Sequence, residues 1–424
     1  MTLHEVLDHP DPVACGCDTA QGLVPVDQAI ARALALVSCV GGVETLPLAD
    51  ATGRILAQDL LSPVALPLFD NTAMDGYALC LDDLAGQGPW VLPLAGRVCA
   101  GDAPTSLEHG HAMRLLTGAP VPAGADAVIA QERVMRLPEA ISLQQRPQQG
   151  AHIRRCGDDL SRGAGLLAAG RILGAREAAL LAGAGIGYVP VVRRLRVAIL
   201  CSGNELVAPG QPLAPGQIWD ANQAMLVAAL DQPWIMRLAL PACPDDPAAL
   251  CDAVRMAAAQ ADIVITTGGV SVGDEDHMAR VISDVGGQIE VMQLAMKPGK
   301  PLSIGQIGNA LWLGLPGNPV AAFVTWHVVG QVLAGHMAGL SETGPAKLLA
   351  ALAAPIQHKP GRCEYRPAQM LGYDARGVRQ VRCLEGAGSH RIAQLAQADA
   401  LVLIPSALEH MACGDLVELL VLNA

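Results

Sequence analysis

The sequence predicts a multidomain α/β protein in which one doubly wound α/β domain stands between two β-rich modules. Three observations support this fold class. Apolar strands alternate with helices between residues 191 and 345, a pattern typical of a parallel sheet covered by helices on both faces. Short β-type runs separated by Gly and Pro turns fill residues 63–150. Similar short strands return after residue 346 and continue to the end of the chain.

Size and composition are compatible with such a protein. The chain has 424 residues, enough for about three domains at roughly 150 residues each. Hydrophobic residues make up 51% of the chain and charged residues 16%, so several cores can be buried. Disordered segments are polar and highly charged, so this composition excludes disorder for most of the length.

The sequence divides into five predicted parts. They are a loose leader, a part-helical extended segment in two pieces, a β-rich insertion domain, an α/β domain and a C-terminal β module, over residues 1–22, 23–62 with 151–190, 63–150, 191–345 and 346–424.

Local patterns predict the elements of the first half. Apolar spacing predicts helices over 26–40 and 175–184, and a β-type run predicts a strand at 127–129. Residues 44–63 are predicted to be extended and to turn helical at Arg54. The glycines of 183–187 follow a helix and not a strand, so they indicate a helix C-cap and not a dinucleotide site.

The α/β domain has clear start and stop signals. Asp220 is predicted to cap a helix that runs to about Leu230, and Asp246 with Pro247 to begin one that runs to about Gln260. A further helix is expected from about Asp276. Buried strands are predicted at 196–201, 234–240, 261–266 and 310–314, and a last strand of the chain at 415–422.

The charge balance argues against a nucleic-acid partner. The net charge is −12 and no run of Lys or Arg offers the basic surface that such binding needs. An anionic substrate would therefore be held by local devices: a few lysines, helix N-termini and backbone amides.

The cysteines suggest a reducing compartment. There are twelve, without a CxxC pair, and Cys15 and Cys17 form a lone CxC in the leader. No second ligand pair follows, so free thiols are favoured over a zinc site. No signal-peptide pattern opens the chain, and we expect a cytoplasmic protein.

One stretch could be taken for a membrane span. Residues 301–341 contain no Asp, Glu, Lys or Arg. Pro316 and Pro319 interrupt the run, but the part after Pro319 is long enough to span a membrane. A buried core helix is favoured, because the segment follows a strand-and-loop unit of the α/β domain.

Four loops follow strands of the α/β domain and should meet at one edge of its sheet, namely 202–205, 244–246, 267–276 and 314–319. Glycines before a helix start let an anion approach unpaired backbone N–H groups. The loops match neither GxGxxG nor the P-loop, so a phosphate site is inferred from context alone. The residues expected there are Gly268, Gly269, Ser271, Gly273, Pro316, Gly317 and Pro319.

Acidic residues cluster on the same loops. They are Glu205, Asp245, Asp274, Glu275 and Asp276. Carboxylate oxygens beside a phosphate suit Mg²⁺. Helix capping is the alternative, since Asp and Glu favour first turns, and Asp246 is assigned only that role.

Lys297 and Lys300 lie three residues apart on a Lys-Pro-Gly-Lys-Pro turn. The prolines limit the entropy lost when the ammonium groups are held in place. Anion binding is favoured over a merely solvated basic turn, because the surrounding sequence is acidic and apolar.

Six phrases of this sequence, in order, resemble those of the molybdopterin molybdenumtransferase family, which includes the homologous domain of gephyrin. They are DNTAMDGYA at 70–78, LLTGAPVP at 115–122, GQIWDAN at 216–222, TGGVSVGDED at 267–276, AMKPGKP at 295–301 and GLPGNPVAA at 314–322. No single phrase would decide the matter, but all six in the same order are specific, and the resemblance covers nearly the whole chain after about residue 23.

The resemblance implies a fold and an assembly. The α/β domain is expected to be like that of molybdopterin adenylyltransferase, and the C-terminal module to be a small β-barrel. An elongated homodimer is implied, with the active site in a cleft between the α/β domain of one subunit and the β-rich module of the other. The implied partners are a molybdopterin adenylyltransferase and proteins that deliver the cofactor to molybdoenzymes, with no nucleic acid and no membrane.

The resemblance also implies a reaction. Adenylylated molybdopterin and molybdate are the substrates, the pyrophosphate bond is cleaved, AMP is released, and molybdenum remains on the dithiolene. Mg²⁺ is the implied metal, because two anions that must meet repel each other.

Residue roles follow from the motif positions. Asp75, Glu205, Asp245 and Asp276 are the implied acidic active-site residues; Asp245 and Asp276 are the foremost metal ligands, with Glu205 beside them. Thr117 belongs to the wall supplied by the partner subunit. Lys297 and Lys300 are implied to hold molybdate or phosphate, and the C-terminal residues that complete an oxyanion pocket are Ser389, Arg362 and Arg366.

Two positions depart from the family pattern. Gln293 stands where many members have Lys, and Asn204 stands where many have Asp. Each change removes a charge but keeps hydrogen bonding, and losing a charge-assisted hydrogen bond weakens binding by about 1.5–3 kcal/mol.

Two alternatives therefore stay open. The first is a related enzyme that adenylylates molybdopterin or inserts tungsten. The second is a non-catalytic scaffold, against which the presence of the four acidic residues argues.

Overall fold

We analysed a computed structural model of the chain, which describes residues 22–269, 277–384 and 390–422. Some predicted features lie outside these ranges. They are the leader up to residue 21 with Cys15 and Cys17, the loop residues Ser271, Gly273, Asp274, Glu275 and Asp276, and Ser389.

The α/β domain is built on a six-stranded sheet. Its strands lie in the order Ile235–Ala239, Leu195–Cys201, Ile263–Thr267, Ala310–Leu315, Ser303–Ile307 and Gln288–Met292. The first four are parallel. The chain turns to opposite sides after Leu195–Cys201, which creates a crevice at the carboxyl ends of this strand and Ile263–Thr267.

The prediction of a wholly parallel sheet was wrong at one edge. Ser303–Ile307 pairs antiparallel with Ala310–Leu315, and Gln288–Met292 pairs antiparallel with Ser303–Ile307. Two strands joined by a tight turn can only be antiparallel, and residues 308 and 309 are such a turn. Neither Ser303–Ile307 nor Gln288–Met292 was predicted from the sequence.

Helices cover both faces of this sheet, as a doubly wound fold requires. Val197 and Ile199 pack with Leu226 on one face, while Ala198 and Leu200 pack with helix Pro247–Gln260 on the other. Successive strand side chains point to opposite faces, so buried residues on both sides require cover on both sides. The helices of the α/β domain are Ala221–Ala229, Pro247–Gln260, His277–Asp284 and Pro319–Met337.

The predicted caps are confirmed. The Asp220 carboxylate accepts a hydrogen bond from Gln223 N at 2.9 Å, and that of Asp246 accepts one from Ala249 N at 2.8 Å. Both bonds satisfy N–H groups that the first helical turn leaves unpaired.

The apolar segment after Pro319 forms a buried helix, as predicted. It runs as Pro319–Thr325, a π-helical turn Trp326–Gly330, and Gln331–Met337. By length and composition alone it could cross a membrane, but 78% of its most apolar stretch is buried inside the protein.

The N-terminal part contributes a helix and a long ribbon. Helix Val26–Leu36 packs on the α/β domain, and strand Val43–Pro47 pairs antiparallel with Tyr188–Val192. A second helix, Ala175–Gly183, ends where the C-cap was predicted. Short strand pairs complete this part: Leu60–Leu61 with Gly165–Leu167, and Asn71–Thr72 with Ile153–Arg154.

The predicted helical turn at Arg54 was wrong. Gly53 N donates to Leu173 O, and Leu173 N donates to Arg54 O, so this backbone pairs with a segment far along the chain. The Arg54 side chain is buried, where it donates to Glu44 and to Val192 O. These distant partners override the local helical preference.

The β-rich module contains its own six-stranded sheet. Its order is Ala127–Ala130, Gly76–Leu79, Ala112–Leu115, Trp90–Val98, Ala140–Leu143 and Val134–Arg136. Gly76–Leu79 and Ala112–Leu115 pair antiparallel over their whole length, with Gly76 opposite Leu115 and Leu79 opposite Ala112.

The C-terminal module is a closed five-stranded barrel. Its strands are Cys363–Tyr373, Arg379–Cys383, Lys347–Leu352, Leu416–Val421 and Ala400–Ile404, and the last pairs back to the first. Closure removes exposed strand edges. Strand Met296–Lys297 pairs with Cys363–Tyr373 and ties the barrel to the α/β domain. The remaining short elements are Leu206–Val207 with Ile218–Trp219, Ile356–Gln357 with His410–Met411, and helix Ile392–Leu395.

Candidate active site

The loops after strands Leu195–Cys201 and Ile263–Thr267 meet at the crevice. Ser202 N donates to Thr267 O at 3.0 Å. Gly268 has a φ of +92°, and a Cβ there would lie 2.5 Å from Ser202 O. Only glycine allows this close approach of two backbones.

The loop after strand Ala310–Leu315 lies against the loop that contains Gly268. A Cβ at Gly317 would lie 3.6 Å from the Gly268 Cα, and the Gly317 carbonyl accepts a hydrogen bond from Asn222 Nδ2 at 2.7 Å. Asn318 caps the helix at Val320 N, so this helix begins at Pro319. Gly268, Gly317 and Pro319 therefore lie at one rim.

Asn204 and Asp245 link the remaining two loops. The Asn204 side-chain oxygen accepts a hydrogen bond from Asp245 N at 3.1 Å, and the Asp245 carboxylate accepts one from Asn204 N at 3.3 Å. The Glu205 carboxylate lies over Gly203, where a Cβ would be 2.7 Å from its Oε2. Glu205 is exposed and Asp245 half-buried, so both offer oxygens at the rim.

Asp75 and Thr117 form a pair in the β-rich module. Asp75 precedes strand Gly76–Leu79 and Thr117 follows strand Ala112–Leu115. The Asp75 Oδ1 accepts hydrogen bonds from Thr117 N at 2.8 Å and from Thr117 Oγ1 at 2.7 Å. These two donors hold the pKa of the Asp75 carboxyl below its ordinary value.

The structure places this pair and the α/β rim on different sheets. Within the described ranges, neither a hydrogen bond nor an ion pair joins Asp75 or Thr117 to the loops of Asn204 and Asp245.

Lys297 has a protein partner that the sequence reasoning missed. Its Nζ lies 3.3 Å from Oε1 of Glu364, a side chain only 2% exposed. Arg366 donates to the same carboxylate through Nε at 3.2 Å and through a terminal nitrogen at 3.0 Å. Burial alone would raise the pKa of Glu364, but Arg366 and Lys297 outweigh burial and lower it. The spacing Glu364-x-Arg366 on one strand face was the available signal.

The turn after Lys297 packs tightly against the buried helix. Gly299 has a φ of +116°, and a Cβ there would lie 2.5 Å from Thr325 Cγ2. Lys300 is exposed, and its carbonyl accepts a hydrogen bond from Leu294 N. Lys297 remains 44% exposed, so its ammonium group can also reach solvent.

A cavity of about 450 Å³ lies between helix Val26–Leu36 and the barrel. Its lining is mostly apolar and includes Ile30, Val328 and Tyr365, but none of the predicted site residues. Such a lining does not suit two anions, so we place the candidate active site at the rim of the α/β sheet.

Three family models match successive parts of the chain. The MoeA N-terminal region (domains I and II) matches residues 24–185, a probable molybdopterin-binding domain matches 198–335, and the MoeA C-terminal region (domain IV) matches 350–422. A molybdopterin molybdenumtransferase of Haemophilus influenzae is 35% identical over 399 residues, which is 93% of this chain and 98% of that protein. The chain belongs to the molybdopterin molybdenumtransferase family.

Further comparisons agree with this family. Molybdopterin molybdenumtransferase 2 of Mycobacterium tuberculosis is 35% identical over 87% of this chain and 93% of its own length. A solved structure of a molybdopterin biosynthesis MoeA protein from Pyrococcus horikoshii covers 95% of this chain and is itself fully covered, with 30% identity and a TM-score of 0.80. The predicted family and the predicted multidomain α/β fold are therefore confirmed.

The structure gives Asn204 a structural role within this molybdenumtransferase-family chain. Its amide supplies the oxygen that holds the loop of Asp245, which an Asp could also supply. An amide does so without adding a negative charge beside Asp245. Asn204 thus keeps the link between loops and reduces charge repulsion.

Gln293 occupies a special backbone position. Its φ of +64° lies in the left-handed region, which is uncommon for a residue other than glycine. Its N–H donates to Leu302 O, and its carbonyl accepts from Val24 N, so both backbone groups are fixed. The backbone at this departure from the family pattern is thereby held in place.

Proposed function

We propose that this protein transfers molybdenum from molybdate to adenylylated molybdopterin, releasing AMP and leaving molybdenum on the dithiolene. The observation that carries the proposal is the convergence of Gly268, Gly317, Asp245 and Glu205 at one crevice of a chain belonging to the molybdenumtransferase family. A crevice at the carboxyl ends of parallel strands is where such sheets bind nucleotides.

We infer that the rim glycines receive the phosphates. Gly268 and Gly317 leave the backbone of both loops open to close approach, and helix Pro319–Thr325 directs its N-terminus toward the same rim. Helix N-termini attract anions through unpaired N–H groups. Gly269, Pro316 and Pro319 shape these loops, and Ser271 and Gly273 are assigned to the same role from sequence alone.

The carboxylates at the rim fit Mg²⁺. Glu205 and Asp245 offer hard oxygen ligands on two loops that Asn204 links, and Mg²⁺ uses one or two carboxylates and keeps several waters. We propose Asp245 and Glu205 as ligands, together with Asp276. A bound Mg²⁺ would neutralise charge on the pyrophosphate as its bond breaks.

We propose that basic groups at the barrel junction hold the oxyanion. Lys297 and Arg366 meet at Glu364, and Lys300 is exposed nearby in sequence. Arg362 and Ser389 are assigned to the same pocket from the family pattern. The buried Glu364 carboxylate holds Lys297 and Arg366 together, and the half-exposed Lys297 ammonium group would contact the anion.

We further propose that the working unit is a homodimer, in which Asp75 and Thr117 of one subunit complete the rim of the other. Each active site would then contain the β-rich insertion domain of one subunit and the α/β domain of the other. A cytoplasmic location, with a molybdopterin adenylyltransferase and cofactor-delivery proteins as partners and without nucleic acid or membrane, accords with this function.

A direct assay tests the proposed reaction. The purified full-length protein is supplied with adenylylated molybdopterin, Mg²⁺ and either molybdate or tungstate, and AMP release is followed. We expect molybdate-dependent AMP release that Asp245→Asn abolishes, with Asp246→Asn as the matched control.

Two results would redirect the proposal. Faster release with tungstate than with molybdate would favour a tungsten-inserting enzyme. Absence of release with either anion, from a protein that is folded and binds adenylylated molybdopterin, would favour a scaffold.

A further inference from the structure

A cluster of metal-binding residue types lies in the β-rich module, at the opposite end of the strand that follows Asp75. Cys80 comes directly after strand Gly76–Leu79, and a short 3-10 turn brings Asp83 back toward it. The Cys80 sulfur, a carboxylate oxygen of Asp83 and a ring nitrogen of His109 all lie within 4.8 Å of one another.

The carboxylate of Asp83 is incompletely satisfied within the described part of the chain. Its Oδ1 lies 3.3 Å from Nδ1 of His109, but its Oδ2 is buried and has no hydrogen-bond partner. The Asp83 side chain is only 12% exposed, whereas His109 is 86% exposed. A buried carboxylate oxygen without a partner is unfavourable, and a bound cation would relieve this.

The separation of His109 Nδ1 from Asp83 Oδ1 fits a tetrahedral zinc ion, and the Cys80 sulfur lies within 4.8 Å of both atoms. Zinc bonds of about 2.0–2.3 Å to N, O and S place neighbouring ligand atoms about 3.3–3.7 Å apart at tetrahedral angles. The His109 to Asp83 distance of 3.3 Å falls at this value. A thiolate and an imidazole favour zinc over the hard cations Mg²⁺ and Ca²⁺.

Asp126 holds the start of the turn that links two of the three residues. Asp126 Oδ2 accepts a hydrogen bond from Leu81 N at 2.9 Å and from the Cys80 thiol at 3.3 Å. The first bond fixes the start of the turn that carries Asp83. The second bond is given up when zinc binds, because the metal takes the Cys80 thiolate and the thiol proton is released.

We propose that Cys80, Asp83 and His109 bind one Zn²⁺ ion, with water in the fourth position. The site is separate from the rim carboxylates, since it shares no residue with them. It is independent of the proposed transferase reaction, so either proposal can fail without the other.

The position of the site gives it a structural role. Cys80 and Asp83 follow strand Gly76–Leu79, and His109 precedes strand Ala112–Leu115, the antiparallel partner of that strand. Zinc at this end would clamp the same strand pair that presents Asp75 and Thr117 at its other end.

Cobalt substitution tests the proposal on the full-length protein freed of metal. Co²⁺ bound through a thiolate gives a charge-transfer absorption band, and competition with a chromophoric chelator gives the number of Zn²⁺ ions bound. We expect one equivalent with the thiolate band, lost in both Cys80→Ser and His109→Ala. Cys413→Ser and His410→Ala, exposed residues of the same types in the barrel, are the matched controls and should keep it.

His109→Ala keeps the test decisive, because His109 is exposed and its removal should leave folding intact, whereas Cys80 is buried. Zinc should raise the melting temperature of the wild type and not that of His109→Ala. The proposal is overturned if the wild type shows no thiolate band, if His109→Ala keeps it, or if Cys15→Ser with Cys17→Ser removes it.

Discussion

Single side chains at the candidate site are tuned by particular hydrogen bonds. Asp75 is exposed enough to meet a ligand, yet two donors from Thr117 keep it ionised to lower pH than an ordinary carboxyl. Glu364 is buried yet ionised, because Arg366 and Lys297 surround it. In both cases the charge state depends on named partners, so each can be tested by removing one partner.

Thr117→Val tests the tuning of Asp75. The change removes the hydroxyl donor and keeps the backbone donor, so the pKa of Asp75 should rise toward its ordinary value. An activity that needs ionised Asp75 is lost as pH falls through its pKa, so the acid limb of kcat/KM should move to higher pH. Thr117→Ser keeps the hydroxyl and should leave the limb in place; equal profiles for both variants would contradict this.

Glu364→Gln tests the ion cluster at the barrel junction. Removing one partner of a buried ion pair typically costs about 3–5 kcal/mol, and Lys297 and Arg366 would be left without their anion. Urea unfolding measures the loss. Glu418→Gln, which breaks the more exposed pair with Lys347, should cost only about 0–1 kcal/mol.

The pH dependence of the same comparison has a definite sign. The lowered pKa of Glu364 stabilises the fold above the ordinary carboxyl pKa, and this contribution disappears as pH falls through the lowered value. The difference in unfolding free energy between wild type and Glu364→Gln should therefore shrink toward acid pH. A constant difference would show that Glu364 does not act through its charge.

At the scale of elements, the strand ends and helix starts of the α/β domain place two adjacent carboxylates in different roles. Asp246 caps helix Pro247–Gln260, while Asp245 turns to the Asn204 loop. The same short segment thus caps a helix and places a second carboxylate, the proposed metal ligand, at the rim.

Asp246→Ala and Asp245→Asn should separate these roles. Loss of a cap costs about 1 kcal/mol, so Asp246→Ala should lower the free energy of unfolding by that amount and leave AMP release unchanged. Asp245→Asn should abolish AMP release with a smaller change in stability. Chemical denaturation and the AMP assay on both variants check this, and a reversed pattern would exchange the two assignments.

Elements with local signals were predictable from the sequence, and those fixed by distant pairing were not. Asp220 and Asp246 each cap an N–H group three residues further along the chain, so both helix starts were predicted. Arg54 was assigned to a helix because its real partners, including Leu173, lie far along the chain. Strand Ser303–Ile307 was not predicted, because it lies near the start of a long uncharged stretch that also contains a helix.

The same distinction between local and distant signals holds for the residues of the candidate site. The rim loops were predicted because parallel strand ends must meet, and Gly268 and Gly317 do lie together. Glu364 was missed because its contact with Lys297 depends on the pairing of Met296–Lys297 with a barrel strand. The sequence around Lys297 contains no pattern that predicts this pairing.

At the scale of the whole molecule, the candidate site residues are divided between the β-rich module and the α/β domain. Asp75 and Thr117 lie on one sheet, and Asp245 and Glu205 at the edge of another. A symmetric dimer would join each half-set to its complement twice.

Co-expression of two inactive variants tests this assembly. If each site uses Asp75 from one subunit and Asp245 from the other, a mixed dimer of Asp75→Asn and Asp245→Asn contains one intact site. Random pairing should then restore roughly a quarter of wild-type AMP release, since half the dimers are mixed and each has one of two sites intact. Differently tagged chains verify the mixing. No recovery in purified mixed dimers would assign both residues to a site within one chain.

The bond between Lys297 and Glu364 has a consequence for how ligand and architecture communicate. An oxyanion that draws the Lys297 ammonium toward itself competes with the carboxylate that fastens the barrel to the α/β domain. If Lys297 binds the oxyanion as proposed, reciprocity would apply in both directions: bound anion would weaken the Lys297–Glu364 contact, and a weaker contact would raise the affinity for the anion. The contact between the barrel and the α/β domain would in this way respond to binding of the oxyanion.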